Sequence, residues 1–190
     1  MLPVLGGLAW AEGNVQAATA QFEQSLASAR KSNSRDAIAE CLALLGMLAV
    51  EQGDPQQART LLEESLEVAS ESGYLLLIAR GLEGFAMLAT HEGEPLRAAR
   101  LFGAAEQLRH ATGTIVPAAE RAAYDAAIAA LHVQSDPFAF RSAWADGGAM
   151  SREQAVAYAL NSTSAQFTPI DLQRGLCRPH REGSGKREYP

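Results

Sequence analysis

Leu45-Gly46-Met47-Leu48-Ala49-Val50-Glu51-Gln52-Gly53-Asp54 decides the reading of this chain, because its pattern recurs forty residues away on either side. Upstream stand Leu5-Gly6-Gly7-Leu8-Ala9-Trp10-Ala11-Glu12-Gly13-Asn14, and downstream Phe85-Ala86-Met87-Leu88-Ala89-Thr90-His91-Glu92-Gly93-Glu94. The register runs on through Ala18, Ala58 and Ala98, through Phe22, Leu62 and Phe102, and through Ser25, Ser65 and Ala105. A fixed period of this length marks a repeat architecture, in which each unit buries its apolar face against the next.

Each position in the pattern has a physical role. Gly13, Gly53 and Gly93 fall where one helix must stop, since glycine takes the left-handed conformation of a helix end without a Cβ penalty. Asn14 and Asp54 are good N-caps for a second helix and Glu94 a poorer one. Pro55 and Pro95 fall at its first position, where a missing N–H costs nothing. The unit is therefore helix, short turn, helix. Gly6, Gly46 and Ala86 on the first helix and Ala18, Ala58 and Ala98 on the second let the axes approach to the short end of about 8–10 Å. Phe22, Leu62 and Phe102 fill the space to the neighbouring helices.

Composition agrees. The 190 residues include 37 alanines and 23 leucines against 12 valines and isoleucines, which favours helix over sheet. A formal net charge of -6 and a pI near 5.2 argue against a dedicated nucleic-acid binder, whose phosphate affinity needs clustered Lys and Arg. Cys41 and Cys177 are far apart and form no C-x-x-C, so neither a disulfide framework nor a zinc site is expected. The longest apolar run, Cys41 to Val50, is too short to span a bilayer. No basic residue precedes Arg30, so a secretory leader is not expected, and a cytoplasmic location is.

From Ile115 the pattern degenerates. Pro117 opens a helix running to Leu131, Asp136-Pro137 opens another carrying Phe138, Phe140 and Trp144, and Ser151 with Gln154 forms a capping box before Ala155 to Leu160. These segments are expected to cap the array, with the three aromatics covering its open end. Residues 1–112 thus hold the repeats, 113–160 the capping helices and 161–190 a polar, disordered tail. Met1 aligns with Cys41, so the first repeat is expected to lack its opening turns.

The pattern of small residues, turn glycine, alanine and aromatic resembles the tetratricopeptide repeat over roughly residues 1–110. The period departs from that family's usual 34 residues, and the proline that closes its second helix is missing. The resemblance implies an all-α, right-handed α-solenoid of three helical hairpins. Arg97-Ala98-Ala99-Arg100-Leu101-Phe102-Gly103-Ala104-Ala105-Glu106, Pro117 to Arg121, Phe140 to Ala145 and Met150 to Ala155 look like the C-terminal repeat region of large bacterial signal-transduction ATPases. Such proteins carry an N-terminal nucleotide-binding domain and often end in a LuxR-type helix-turn-helix. Phe167-Thr168-Pro169 resembles the opening of the latter, but residues 170–190 do not continue it.

Catalytic and metal motifs are lacking in the sequence. Gly185-Lys186 is followed by Arg187 and has His180 where the first glycine of a nucleotide-binding loop belongs, and His91-Glu92 meets Pro95 where a zinc site needs a second histidine. No cofactor or metal is expected, and the chain is read as non-enzymatic. In tetratricopeptide arrays the first helices line a concave face. Here that face would carry Trp10, Met47, Val50, Glu51, Arg80, Glu83, Met87, Thr90 and His91. Methionines and an aromatic suit an adaptable peptide groove, and Glu51 and Arg80 would select charge. Met47 and Met87 suit packing between repeats equally well. The expected partner is a protein or peptide segment or a small-molecule inducer, with no membrane and no nucleic acid. The alternative is a passive spacer, or a truncated gene remnant that binds nothing.

Overall fold

The structure, a computed structural model, describes residues 2–161. The expected disordered tail lies outside the described residues, as does Cys177. The described residues form nine helices and no strand: α1 (Leu2–Ala11), α2 (Val15–Lys31), α3 (Arg35–Glu51), α4 (Pro55–Ser72), α5 (Leu75–His91), α6 (Pro95–Thr112), α7 (Ala118–Gln134), α8 (Pro137–Gly148) and α9 (Arg152–Leu160). None of them is long and apolar enough to cross a membrane.

The hairpins α1–α2, α3–α4 and α5–α6 follow the forty-residue register as a helical solenoid. Gly13, Gly53 and Gly93 take φ of 77°, 74° and 75°, the left-handed turn the pattern requires. Asn14 and Asp54 accept hydrogen bonds from the amides of Ala17 and Gln57, while Glu94 makes no side-chain cap. Small first-helix residues make room for the large ones of the second helix. A Cβ on Gly6 would lie 2.5 Å from the Phe22 ring, and one on Gly46 2.7 Å from Leu62 Cγ. Phe22, Leu62 and Phe102 are wholly buried, as are Ala18, Ala58 and Ala98.

Polar contacts act within a hairpin and between hairpins. Ser65 Oγ donates to the Ala39 carbonyl at 2.7 Å, joining α4 to α3, and Gln52 Nε2 donates to Thr19 Oγ1 at 3.1 Å, joining the second hairpin to the first. Arg59 reaches Glu92 at 2.7 Å, and Arg30 reaches Glu64 at 2.9 Å. These last pairs are at least partly in solvent, so they fix orientation more than they add stability.

The helices after residue 113 depart from a simple cap. The α7 helix touches α5 and α6 but also α1, at the far end of the array. The α8 helix packs along α6 so closely that the backbones meet at Gly103 and Gly147. The α9 helix, opened by the Ser151–Gln154 capping box, lies against α4, α5 and α6. Of the three aromatics expected at the open end, Phe140 is buried and Trp144 stacks on Phe102 at 6.1 Å, but Phe138 is 75% exposed. The α8 face on α6 is set by Phe140, Ala143 and Gly147. Phe138, two residues before Phe140, falls some 200° around the helix and points away from it.

Candidate functional site

The inner row of helices is joined by a buried ionic ladder. Arg80 on α5 donates from Nη1 to Glu40 Oε1 on α3 at 2.7 Å, and from Nε and Nη2 to the two oxygens of Glu120 on α7 at 3.2 and 3.0 Å. Burial would lower the Arg80 pKa, but the carboxylates of Glu120 and Glu40 outweigh it and hold the guanidinium above its ordinary value. Arg80 is therefore a fixed cation. Burial raises the Glu120 carboxyl against the pull of Arg80. Beside the ladder, Arg109 on α6 clamps Glu83 through Nε and Nη2, at 2.5 and 2.6 Å, and donates from Nη1 to the Ile115 carbonyl at 3.1 Å. That last bond fixes the segment leading into α7.

Above the ladder, where α1 approaches α7, lies a cleft of about 490 Å³. Leu8, Trp10, Phe22 and Leu44 make its apolar wall, Ala118 and Ala119 the α7 side, and Glu40, Arg80 and Glu120 its charged floor. This volume falls in the range of small-ligand pockets, roughly 300–1,000 Å³. The floor holds two carboxylates for one guanidinium, so the cleft favours a cationic or hydrogen-bond-donating group.

The nine residues expected to line an open groove do not all reach one. Trp10, Met47, Val50, Arg80, Glu83, Met87 and Thr90 are buried, and only Glu51 and His91 are exposed. Met47 and Met87 pack in the core, Glu83 is locked to Arg109, and Thr90 Oγ1 donates to the Ala86 carbonyl. The cleft gathers Trp10 and Arg80 and leaves out the other seven. The reason is tertiary: α5 is enclosed by α3, α4, α6, α7 and α9, so its whole middle is buried. Glu40 and Glu120 were missed by sequence reasoning. The signal was present, since Glu40, Arg80 and Glu120 stand forty residues apart in the repeat register with alternating charge.

Residues 2–71 match the tetratricopeptide repeat family. No curated protein and no solved structure gives a match. The matched span takes in α1 to α3 and nearly all of α4, and α5–α6 continues the same hairpin geometry. Tetratricopeptide repeats generally mediate protein–protein interaction and are typically non-catalytic, which supports a scaffold role. Among the described residues no group of His, Cys, Asp and Glu could hold a metal ion. The one cysteine there, Cys41, is buried, and burial pushes its thiol up to about 11, far from the reactive thiolate range.

Trp10 ties the first repeat to the second, its indole N–H donating to both oxygens of Glu51 at 3.0 and 3.1 Å. Glu51 is exposed as a residue, but partial burial of its carboxyl against Trp10 raises that group above its ordinary value, and the indole bond pulls against the shift. A carboxyl raised in the folded state favours folding while protonated, and that contribution is lost as pH rises through its folded pKa. Gln in place of Glu51 keeps an acceptor for the indole and never ionises. The Glu51→Gln chain should therefore gain on the wild type in urea midpoint between about pH 4 and pH 7. An equal difference at both values would mean Glu51 ionises without penalty.

Proposed function

We propose that this chain is a non-enzymatic interaction scaffold that receives a protein or peptide segment, or a small-molecule inducer, in the cleft between α1 and α7. The observation that carries this reading is the cleft itself, an apolar wall of Leu8, Trp10, Phe22 and Leu44 over the Glu40–Arg80–Glu120 floor. An occupant there would bridge the first and fourth inner helices, and so couple binding to the closure of the array. The resemblance of residues 97–106, 117–121, 140–145 and 150–155 to large bacterial signal-transduction ATPases supports a finer role. In that role the chain is the cytoplasmic sensor or regulatory repeat region of an ATPase-type, LuxR-related transcriptional regulator. Nucleic acid and membrane are not its partners in this reading, and it needs no cofactor.

The test is a photo-crosslinking residue in place of Ala119, on the α7 wall of the cleft, in cells expressing the full chain. The expected product is an adduct with a second molecule, lost when Leu8→Glu charges the opposite wall. Adducts confined to the chain itself would favour the second reading, a passive spacer, which the burial of Met47, Val50, Glu83, Met87 and Thr90 outside the cleft also supports. An adduct on a protein with a nucleotide-binding domain would carry the finer role.

A further inference from the structure

The α9 helix shows how this solenoid holds a helix on its outer side. It lies in the groove between α4 and α6, with α5 as floor, and buries Ala155 and Ala159, four residues apart. Arg97, in the first turn of α6, closes the end of α9. Its guanidinium donates to the carbonyls of Ala159 at 2.9 Å and Asn161 at 2.8 Å and lies 5.6 Å from the centre of the Tyr158 ring.

The repeat register makes a second copy of this groove forty residues earlier, between α2 and α4 over α3. That copy is a cavity of about 290 Å³, and none of the described helices lies along it. Its lining residues are more open than their counterparts under α9. Leu26 is 7% exposed where Leu66 is 0%, Leu45 is 7% where Phe85 is 2%, and Leu61 is half-buried where Leu101 is 0%. Gln57 stands, exposed, where Arg97 grips the α9 terminus. The groove shares no lining residue with the cleft between α1 and α7.

We infer that the groove between α2 and α4 is a docking site for a short helix of another protein, seated as α9 is seated in the neighbouring groove. The precedent sets the chemistry of the occupant. Small residues four apart face α3, because the groove that holds α9 admits alanine at both buried positions. The C-terminal end lies over Gln57, following the direction of α9 over Arg97. Its last turn carries a basic side chain, because Gln57 stands where the occupied groove has its cation, and Glu23, on the same rim, is exposed with no ionic partner among the described residues. The groove's own cation, Arg30, is paired with Glu64 from α2 to α4, and that half-exposed bridge parts at little cost to admit the occupant. A cation at a helix C-terminus also meets the helix dipole favourably. This inference stands apart from the cleft reading, and either can fail alone.

The probe is a fluorescent peptide with the sequence of residues 151–161, with a second version carrying Tyr158→Lys, titrated against the full chain by anisotropy. Three results are expected. The Tyr158→Lys peptide binds the wild type more tightly than the parent peptide, and Glu23→Gln removes that advantage. Gln57→Arg, which installs the missing terminal clamp, tightens the parent peptide roughly tenfold, the effect of one charge-assisted hydrogen bond. Ala27→Trp, at an exposed rim position, abolishes binding of both. No saturable binding to the Gln57→Arg chain would overturn the inference, as would binding untouched by Ala27→Trp, which would place the peptide elsewhere. Self-association of the chain without peptide, lost in Ala27→Trp, would give the groove to a second copy and overturn the partner assignment.

Discussion

Arg80→Met is expected to destabilise the chain by about 3–5 kcal/mol, the usual result of removing one partner from a buried ion pair. Methionine fills much the same volume, so the loss is electrostatic. It leaves Glu120, 7% exposed at its side chain, without the cation that satisfied both its oxygens, and strips Glu40 of its bond as well. For a chain of this size that is about 10 °C in Tm by calorimetry or circular dichroism. Glu120→Gln should cost only about 1 kcal/mol, because Arg80 keeps Glu40 and the amide oxygen can still accept. The two variants differ in location as well. Arg80 is the bond from α5 to the first turn of α7, so Arg80→Met should raise amide exchange across 118–134 before the hairpins α3–α4 and α5–α6 respond. Equal losses for both variants would show that the ladder is not organised around Arg80.

The second large effect lies at two adjacent glycines of opposite sign. A Cβ on Gly147 would run into the backbone of Arg100 on α6, and backbone cannot step aside as a side-chain tip can. Gly147→Ala should therefore destabilise by about 3 kcal/mol, the upper part of the usual overpacking range, by forcing α8 off α6. Gly148, one residue on, has nothing nearer than a backbone oxygen of Gly103 at 3.7 Å, an ordinary contact, and its φ is not left-handed. Gly148→Ala should be neutral or stabilising by up to about 1 kcal/mol, the helix-propensity gain. Urea melts of the pair read the difference directly. A Gly147→Ala chain as stable as the wild type would mean that α8 and α6 are not in backbone contact.

Both predictions concern α7 and α8, the helices for which sequence reasoning was least complete. Their existence was legible: Pro117, Asp136-Pro137 and the Ser151–Gln154 box mark three helix starts, and the structure places helices there. Their destinations were not. The forty-residue register carries no information about a helix that has left it, and α7 reaches α1 through contacts such as Gly7 against Ala119, 112 residues apart. Small residues of that kind look alike in sequence whether they face a neighbour or water. Tyr124, whose hydroxyl burial raises to about 12, packs edge-on to Phe102 at 5.1 Å, yet nothing in its local sequence names that partner.

The candidate site divides the same way. Trp10 and Arg80 were named, with seven others, because the first helices of a tetratricopeptide array line its concave face, and these two reach the cleft. Met47, Val50, Glu83, Met87 and Thr90 occupy first helices too but are covered by neighbours away from the cleft. A helical wheel gives the direction in which a side chain points, and burial depends on what stands there.

By itself the sequence determined the helical class, the forty-residue hairpin, its left-handed turn glycines and its caps. All of these depend on interactions within a few residues along the chain or on strict repetition, and both are written in a linear string. Only the tertiary structure decided that α7 closes toward α1, that Arg80 is shared between Glu40 and Glu120, and that α9 fills one outer groove while its copy between α2 and α4 stays open. Those outcomes rest on close packing and desolvation between segments far apart in the chain. Their energies exist only once the helices are stacked.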